Sequence, residues 1–161
     1  MHAVLQSVDL ASGAGLDGIA SAQAAAEGLA GRGDQVAASA RAALGSPAVA
    51  EARAGRFWRE VYVSADIEGG IVDGFIDLLV EAPDGLVIVD YKTDAVDDDT
   101  LASTVSRYRI QVAAYALALE HNLQRPVTRA ELVFARPGSA LQIRVADLDE
   151  AKQTVRKVLA S

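Results

Sequence analysis

The chain has 161 residues, 51% hydrophobic and without cysteine, which is enough to bury one core and excludes disulfides, thiolate zinc sites and iron–sulfur clusters. Its formal net charge is −7, so it lacks the basic footprint of a protein that grips nucleic acid through phosphates alone. No apolar run approaches the ~20 residues of a membrane span and no secretory leader is legible, so no membrane association is expected, and a cysteine-free chain fits a reducing, cytoplasmic compartment.

Residues 1–10 read as a short helix with Val4, Leu5 and Val8 on its apolar side. No N-cap residue precedes it, which leads us to expect a domain cut from a longer chain. Residues 12–15 are a Gly/Ser break. Residues 16–30 are alanine-rich and weakly amphipathic, ended by Gly31 and Gly33. Asp34 is expected to cap a third helix reaching about residue 44, and Pro47 to open a short fourth one through about residue 54.

At Phe57 the texture changes. Phe57-Trp58-Arg59-Glu60-Val61-Tyr62-Val63-Ser64 is aromatic and β-branched and reads as a strand. After a turn at Glu68-Gly69-Gly70, residues 71–80 form a second strand. After Pro83-Asp84-Gly85, residues 86–91 form a third, apolar enough for burial on both faces. Two tight turns in succession predict an antiparallel meander. The acidic run Asp97-Asp98-Asp99 reads as a solvated loop leading into a helix from about residue 98 to 121. The stripe of that helix is Leu101, Val105, Tyr108, Val112, Tyr115 and Leu119, with Gln111 on it too. Two more strands are expected at 131–134 and 141–145, and an amphipathic helix at about 148–159.

The chemistry gathers on Gly74-Phe75-Ile76-Asp77 and Val89-Asp90-Tyr91-Lys92-Thr93. Side chains alternate along a strand, so Asp90 and Lys92 share a face. Asp77 and Asp90 are expected to meet only if their strand segments diverge or bend there, and Gly74 would tolerate a bend or a bulge. Two such carboxylates suit a hard divalent cation, Mg²⁺ or Mn²⁺. The ion lowers the pKa of bound water and neutralises phosphoryl charge, and a neighbouring lysine steadies the water or the developing oxyanion. That is minimal equipment for phosphodiester hydrolysis. Taken singly, aspartates at strand ends are most often solvated turn residues.

In order and spacing, these segments and Tyr108-Arg109-Ile110-Gln111-Val112-Ala113-Ala114-Tyr115-Ala116 resemble the nuclease domain of RecB/AddA-type helicase–nucleases, in the PD-(D/E)XK superfamily. The likeness is firmest over residues 57–121. It implies an α/β, restriction-endonuclease-like core: a mixed central sheet with flanking helices and an N-terminal helical segment. The whole would be one nuclease domain over 1–161, with residues 1–55 carrying His2 and 56–161 the catalytic core. It implies that Asp77, Asp90 and Lys92 are catalytic. Metal would be held by His2, Asp77, Asp90 and the backbone carbonyl of Tyr91. Gln111, Tyr115 and Thr93 would handle DNA or support the site. Glu60 either stands behind the carboxylates or faces solvent, and Tyr115 is core or functional. Arg107 and Arg109 either touch phosphate or lie on the helix surface, and His121 is expected to be exposed.

The implied activity is exonuclease-type, Mg²⁺- or Mn²⁺-dependent cleavage of DNA, single-stranded above all, in double-strand-break repair. The domain would sit at the C-terminal end of a UvrD/Rep-like helicase–nuclease, beside a helicase domain of the same chain and a partner helicase–nuclease subunit. No nucleotide-binding phosphate loop is present here, so ATP would be used elsewhere. The absent cysteines match the cluster-free branch of the family. The rival readings are a catalytically silent nuclease fold that binds or scaffolds DNA, and a small interaction domain in which Asp90 and Lys92 form a surface ion pair.

Overall fold

The structure, a computed structural model, describes residues 1–161 apart from the side chain of Asp98, which lies outside the description together with its share of the acidic run. The chain divides into two compact units. One comprises Met1–Ala54, Tyr91–Ala95 and Val133–Gln142, and the other Gly55–Asp90, Val96–Leu132 and Ile143–Ser161.

The first unit contains helices α1 (His2–Ser7), α2 (Leu16–Ala26), α3 (Gly33–Leu44) and α4 (Pro47–Ala54). They pack through small residues: Ala20, Ala24, Ala37, Ala40, Ala43 and Ala52 are all buried. Asp34 does not cap α3. Arg32 occupies the N-cap position and Asp34 sits in the first turn, where its charge still complements the helix dipole. Arg53 ties the unit together, donating from Nε to the Leu10 carbonyl at 2.5 Å and from Nη2 to that of Leu44 at 2.8 Å.

In the second unit, β1 (Phe57–Ile67), β2 (Gly70–Ala82) and β3 (Gly85–Lys92) form the predicted meander. Helix α5 (Asp98–Leu123) follows, then β4 (Val127–Arg136), β5 (Ser139–Arg144) and α6 (Leu148–Leu159). Residues 91–92 of β3, 133–136 of β4 and 139–142 of β5 belong to the first unit. The sheet order is β1-β2-β3-β4-β5, with antiparallel β1–β2 and β2–β3 pairs. β4 starts beside the start of β3, where Leu86 N–H donates to the Pro126 carbonyl at 2.9 Å. The α5 crossover therefore makes the pair parallel and the sheet mixed. Residues 85–91 of β3 are all buried, as its unbroken apolar run requires.

Both hairpins turn in two residues, Ile67↔Gly70 and Ala82↔Gly85. In the first, Glu68 and Gly69 have φ of 54° and 86°, the left-handed pair that a tight hairpin needs to match strand twist. Helix α5 starts in a capping box: Thr100 N–H donates to Asp97 Oδ1 at 2.9 Å, and Asp97 N–H to Thr100 Oγ1 at 3.2 Å. The Thr100 side-chain hydrogen bond, then its backbone one, hold the Asp97 carboxyl below its usual 3.8. The burial stripe of α5 is wider and later than its spacing predicts. Val112, Ala113 and the run 116–119 are buried, while Leu101, Val105 and Tyr108 are half-buried.

Candidate functional site

The β2–β3 hairpin sets the register in which the two aspartates lie. From Ala82↔Gly85 the β2–β3 ladder runs to Leu78↔Val89. One step further, the same register sets Asp77 opposite Asp90. The paired ladder ends at Leu78↔Val89, just before the two aspartates, and Gly74 pairs with Val63 on β1. The two-residue turn at Pro83-Asp84 already carries this arithmetic: residues paired across it sum to a constant. Residues opposite each other in an antiparallel pair point to one face, and like charges there oppose folding. Asp90 is also buried, at 5% exposure.

Glu60 lies in the same cross-strand row. The β1–β2 ladder steps from Arg59↔Leu78 to Val61↔Ile76, which leaves Glu60 opposite Asp77. Glu60 has φ of 50°, a left-handed conformation that costs a non-glycine residue in a strand ~1–3 kcal/mol. Such strain persists where surroundings impose it, and here it sits against the first aspartate. We predict that Glu60→Gly leaves the melting temperature within about 2 °C of wild type, because relief of strain offsets the ~0.5–1 kcal/mol that glycine normally costs in a strand. Thermal unfolding checks this; a clear loss of stability would show that the left-handed residue is not strained.

Gln111 and Tyr115 lie on the other face of β2. A Cβ at Gly74 would stand 2.6 Å from Tyr115 Oη and 2.7 Å from Cε1, so Gly74 is where the tyrosine ring meets the strand backbone. Gln111 Nε2 donates to Tyr115 Oη at 3.1 Å. Gly74 and Asp77 are three residues apart in a regular strand, so they face opposite ways. The structure thus brings Asp77, Asp90 and Glu60 into one row and places Gln111 and Tyr115 behind it. Arg109 is engaged in holding α5 to the segment before α6, with Nε 3.0 Å from the Ala146 carbonyl and Nη2 2.9 Å from that of Asp147. The Arg107 guanidinium lies 4.7 Å over the Tyr108 ring. His121 and Thr93 are exposed, and Lys92 is half-buried at the end of β3.

In the first unit, His2 Nε2 is 2.8 Å from the Tyr91 carbonyl oxygen, across 89 residues of sequence. Val4, Leu5 and Val8 are buried at 0%, 2% and 0% exposure, so the turn that carries His2 is anchored. A carbonyl only accepts, so in a hydrogen bond Nε2 carries the proton and donates it.

Among the described residues no group of three or more His, Cys, Asp or Glu side chains forms a ready metal cluster. The donors still fit a hard cation. Mg²⁺ commonly takes one or two carboxylates and keeps several waters.

All 161 residues match the family model described as the PD-(D/E)XK nuclease superfamily. The chain is 36% identical over 163 residues to an ATP-dependent helicase/nuclease subunit from Desulforudis audaxviator, covering 87% of this chain and 13% of that protein. Proteins of the same name match from Alkaliphilus oremlandii (39% over 88 residues, 54% of this chain and 7% of that protein) and Bacillus cereus strain AH187 (36% over 74 residues, 42% and 6%). The chain therefore spans a small fraction of the length of these relatives. No helix among the described residues is long and apolar enough to cross a membrane.

Proposed function

Because the chain belongs to the PD-(D/E)XK nuclease superfamily, we propose that it hydrolyses DNA phosphodiester bonds with Mg²⁺ or Mn²⁺, as the nuclease domain of an ATP-dependent helicase–nuclease. The observation that carries this reading is the hairpin register that sets Asp77 opposite the buried Asp90, two residues before Lys92.

Asp77 and Asp90 would supply the oxygen ligands, joined by the Tyr91 carbonyl and the His2 imidazole. When bound, the ion supplies Lewis acidity toward the phosphate and a water of lowered pKa. The Lys92 ammonium holds the attacking water and offsets charge that builds on the phosphoryl oxygens. Thr93 follows at the strand end, where its hydroxyl can reach a phosphate. Tyr115, oriented by Gln111, braces β2 from behind at Gly74, three residues before Asp77. His2 would hold the ion through its Nε2 lone pair, with the ring proton carried on Nδ1 instead. No covalent enzyme intermediate is involved.

The name shared by the relatives supports a parent chain that also carries the motor. Single-stranded DNA delivered by that helicase is the substrate, a second helicase–nuclease subunit the partner, double-strand-break repair the setting and the cytoplasm the location.

The test is cleavage of labelled single-stranded DNA by the 161-residue chain with Mn²⁺, beside Lys92→Ala. Wild type should cut, and Lys92→Ala should be slower by about 10²-fold or more, the usual scale for losing one positioned donor to a developing charge. Mn²⁺ binding without cleavage by the wild type would turn the reading to a scaffold that keeps the nuclease fold. Equal cleavage by both proteins would remove Lys92 from the site.

A further inference from the structure

The face of β1 and β2 that carries Asp77 also carries uncovered aromatic rings. Tyr62 and Phe75 are register partners, each 56% exposed. Their centroids lie 5.2 Å apart with the ring planes at 49°. Phe75 precedes Asp77 by two residues and so shares its face. Trp58 pairs with Leu79, two residues beyond Asp77 on that same face, and is 38% exposed. The Arg56 guanidinium lies 5.4 Å from the Trp58 ring. Along the face the order is thus a tilted Tyr62–Phe75 pair, the Glu60–Asp77 level, and Trp58. Neighbouring levels are separated by about 6.6 Å, two residues of strand rise.

Scattered exposed apolar residues are ordinary. Here three of the chain's eight aromatic residues (four Tyr, three Phe and one Trp) bracket an acidic level on a single face. We propose that Tyr62, Phe75 and Trp58 form a base-stacking platform that holds single-stranded DNA on both sides of Asp77. The proposal rests on the nuclease reading above and deepens it by naming what grips the strand. A chain of net charge −7 gains little from phosphates, whereas stacking on rings needs no net positive field and tolerates any sequence. Continuity of the rings with the carboxylate row selects DNA as the occupant. Rings also select single strands, because bases paired in a duplex already stack on one another. At 49° the two rings of the pair cannot both lie parallel to one base. A base lies flat on one and meets the edge of the other, which fixes its tilt as the backbone passes Asp77.

The test uses the 161-residue chain carrying Asp90→Asn, so that no strand is cut. Binding of a fluorescein-labelled oligothymidylate in Mg²⁺ is compared with that of an abasic strand of equal length. The base-bearing strand should bind more tightly and should quench the fluorescence of Trp58, the sole tryptophan. Tyr62→Ala, Phe75→Ala and Trp58→Ala should each weaken oligothymidylate binding about 5- to 100-fold and leave abasic binding unchanged. Tyr62→Phe should bind as the parent does.

Equal binding of the two strands, or unaltered binding by all three alanine variants with circular dichroism intact, overturns the platform. Self-association that is lost in the alanine variants, with DNA binding unchanged, also overturns it and gives the face to a second copy. Mn²⁺-dependent cleavage by the wild type is read separately. Cleavage without base-dependent binding sinks the platform alone, whereas base-dependent binding without cleavage keeps the platform and sinks the nuclease reading.

Discussion

Asp90→Asn is expected to lower kcat/KM for single-stranded DNA by about 10³-fold or more while the chain remains folded. Asp90 is buried at 5% exposure and stands one register step beyond Leu78↔Val89, opposite Asp77. Asparagine keeps the shape of the aspartate side chain, so the metal-free fold should persist. With an ion the substitution removes a charged oxygen ligand and the several kcal/mol of transition-state stabilisation that a well-held Lewis acid provides, at one factor of ten per ~1.4 kcal/mol.

Stability measurements separate this from general damage. At Mn²⁺ about 100 times its dissociation constant, ligand binding stabilises the wild type by ~2.7 kcal/mol. For a chain of this size that is about 5–10 °C in melting temperature. Asp90→Asn should lose most of that rise while melting at or above the wild-type temperature in chelator. A variant that melts well below wild type in chelator would mean that the carboxylate holds the fold rather than the ion. A full Mn²⁺-dependent rise in the variant would remove Asp90 from the ligand set.

Gly74→Ala should cost about 1–3 kcal/mol, the usual range for forcing an extra methyl group into a filled site, and lower the melting temperature by roughly 2–10 °C. The cause is local. A Cβ there would lie 2.6–2.8 Å from three atoms of the Tyr115 side chain, too close for any real contact. Gly74 and its neighbours Asp73 and Phe75 are held in the ladder with β1, so the strain falls on α5 or on β2 near Asp77. Tyr115→Ala should itself cost stability by leaving a void. In the double variant the two losses should fall short of their sum, because the new methyl group enters the space the ring vacates. A double-mutant cycle by chemical denaturation measures that coupling, expected at about 1 kcal/mol or more. Strict additivity would show that the ring and the strand do not press on each other. Cleavage by Gly74→Ala reports whether the brace behind β2 matters to the carboxylates in front.

Much of the fold could be read from local pattern. The break in texture at Phe57, the two hairpin turns, the apolar run of β3 and the helix between two Gly- and Pro-marked loops follow from periodicity and turn chemistry, and the structure has them with ends shifted by a few residues. Local pattern failed where a residue's role depends on something distant. Asp34 suits an N-cap by type, yet α3 is capped two residues earlier, at Arg32. Gly74 suits a bend by type, yet its role is set by Tyr115, on a different element. The stripe on α5 has the right period, but which turns of it are buried depends on where β1, β2 and α6 lie against the helix.

The candidate site divides along the same line. Asp77, Asp90, Lys92, Gln111 and Tyr115 could be named from motif spacing, because a strand ending in Asp-x-Lys and a helix with Gln and Tyr one turn apart are short-range patterns. The register of Asp77 against Asp90 is not legible in the chain, because the sequence marks the turn as Pro83-Asp84-Gly85 and its two-residue length, Ala82↔Gly85, comes from the structure. What the sequence by itself determined is therefore the inventory of chemistry and its spacing along each element. The tertiary structure alone decided which of those groups face one another: Glu60 strained opposite Asp77, Tyr115 behind the row rather than in it, and His2 on the carbonyl of Tyr91, 89 residues away. Alternation and helical period assign a face to each residue. Which faces come together depends on packing between elements distant in sequence, which no local pattern encodes.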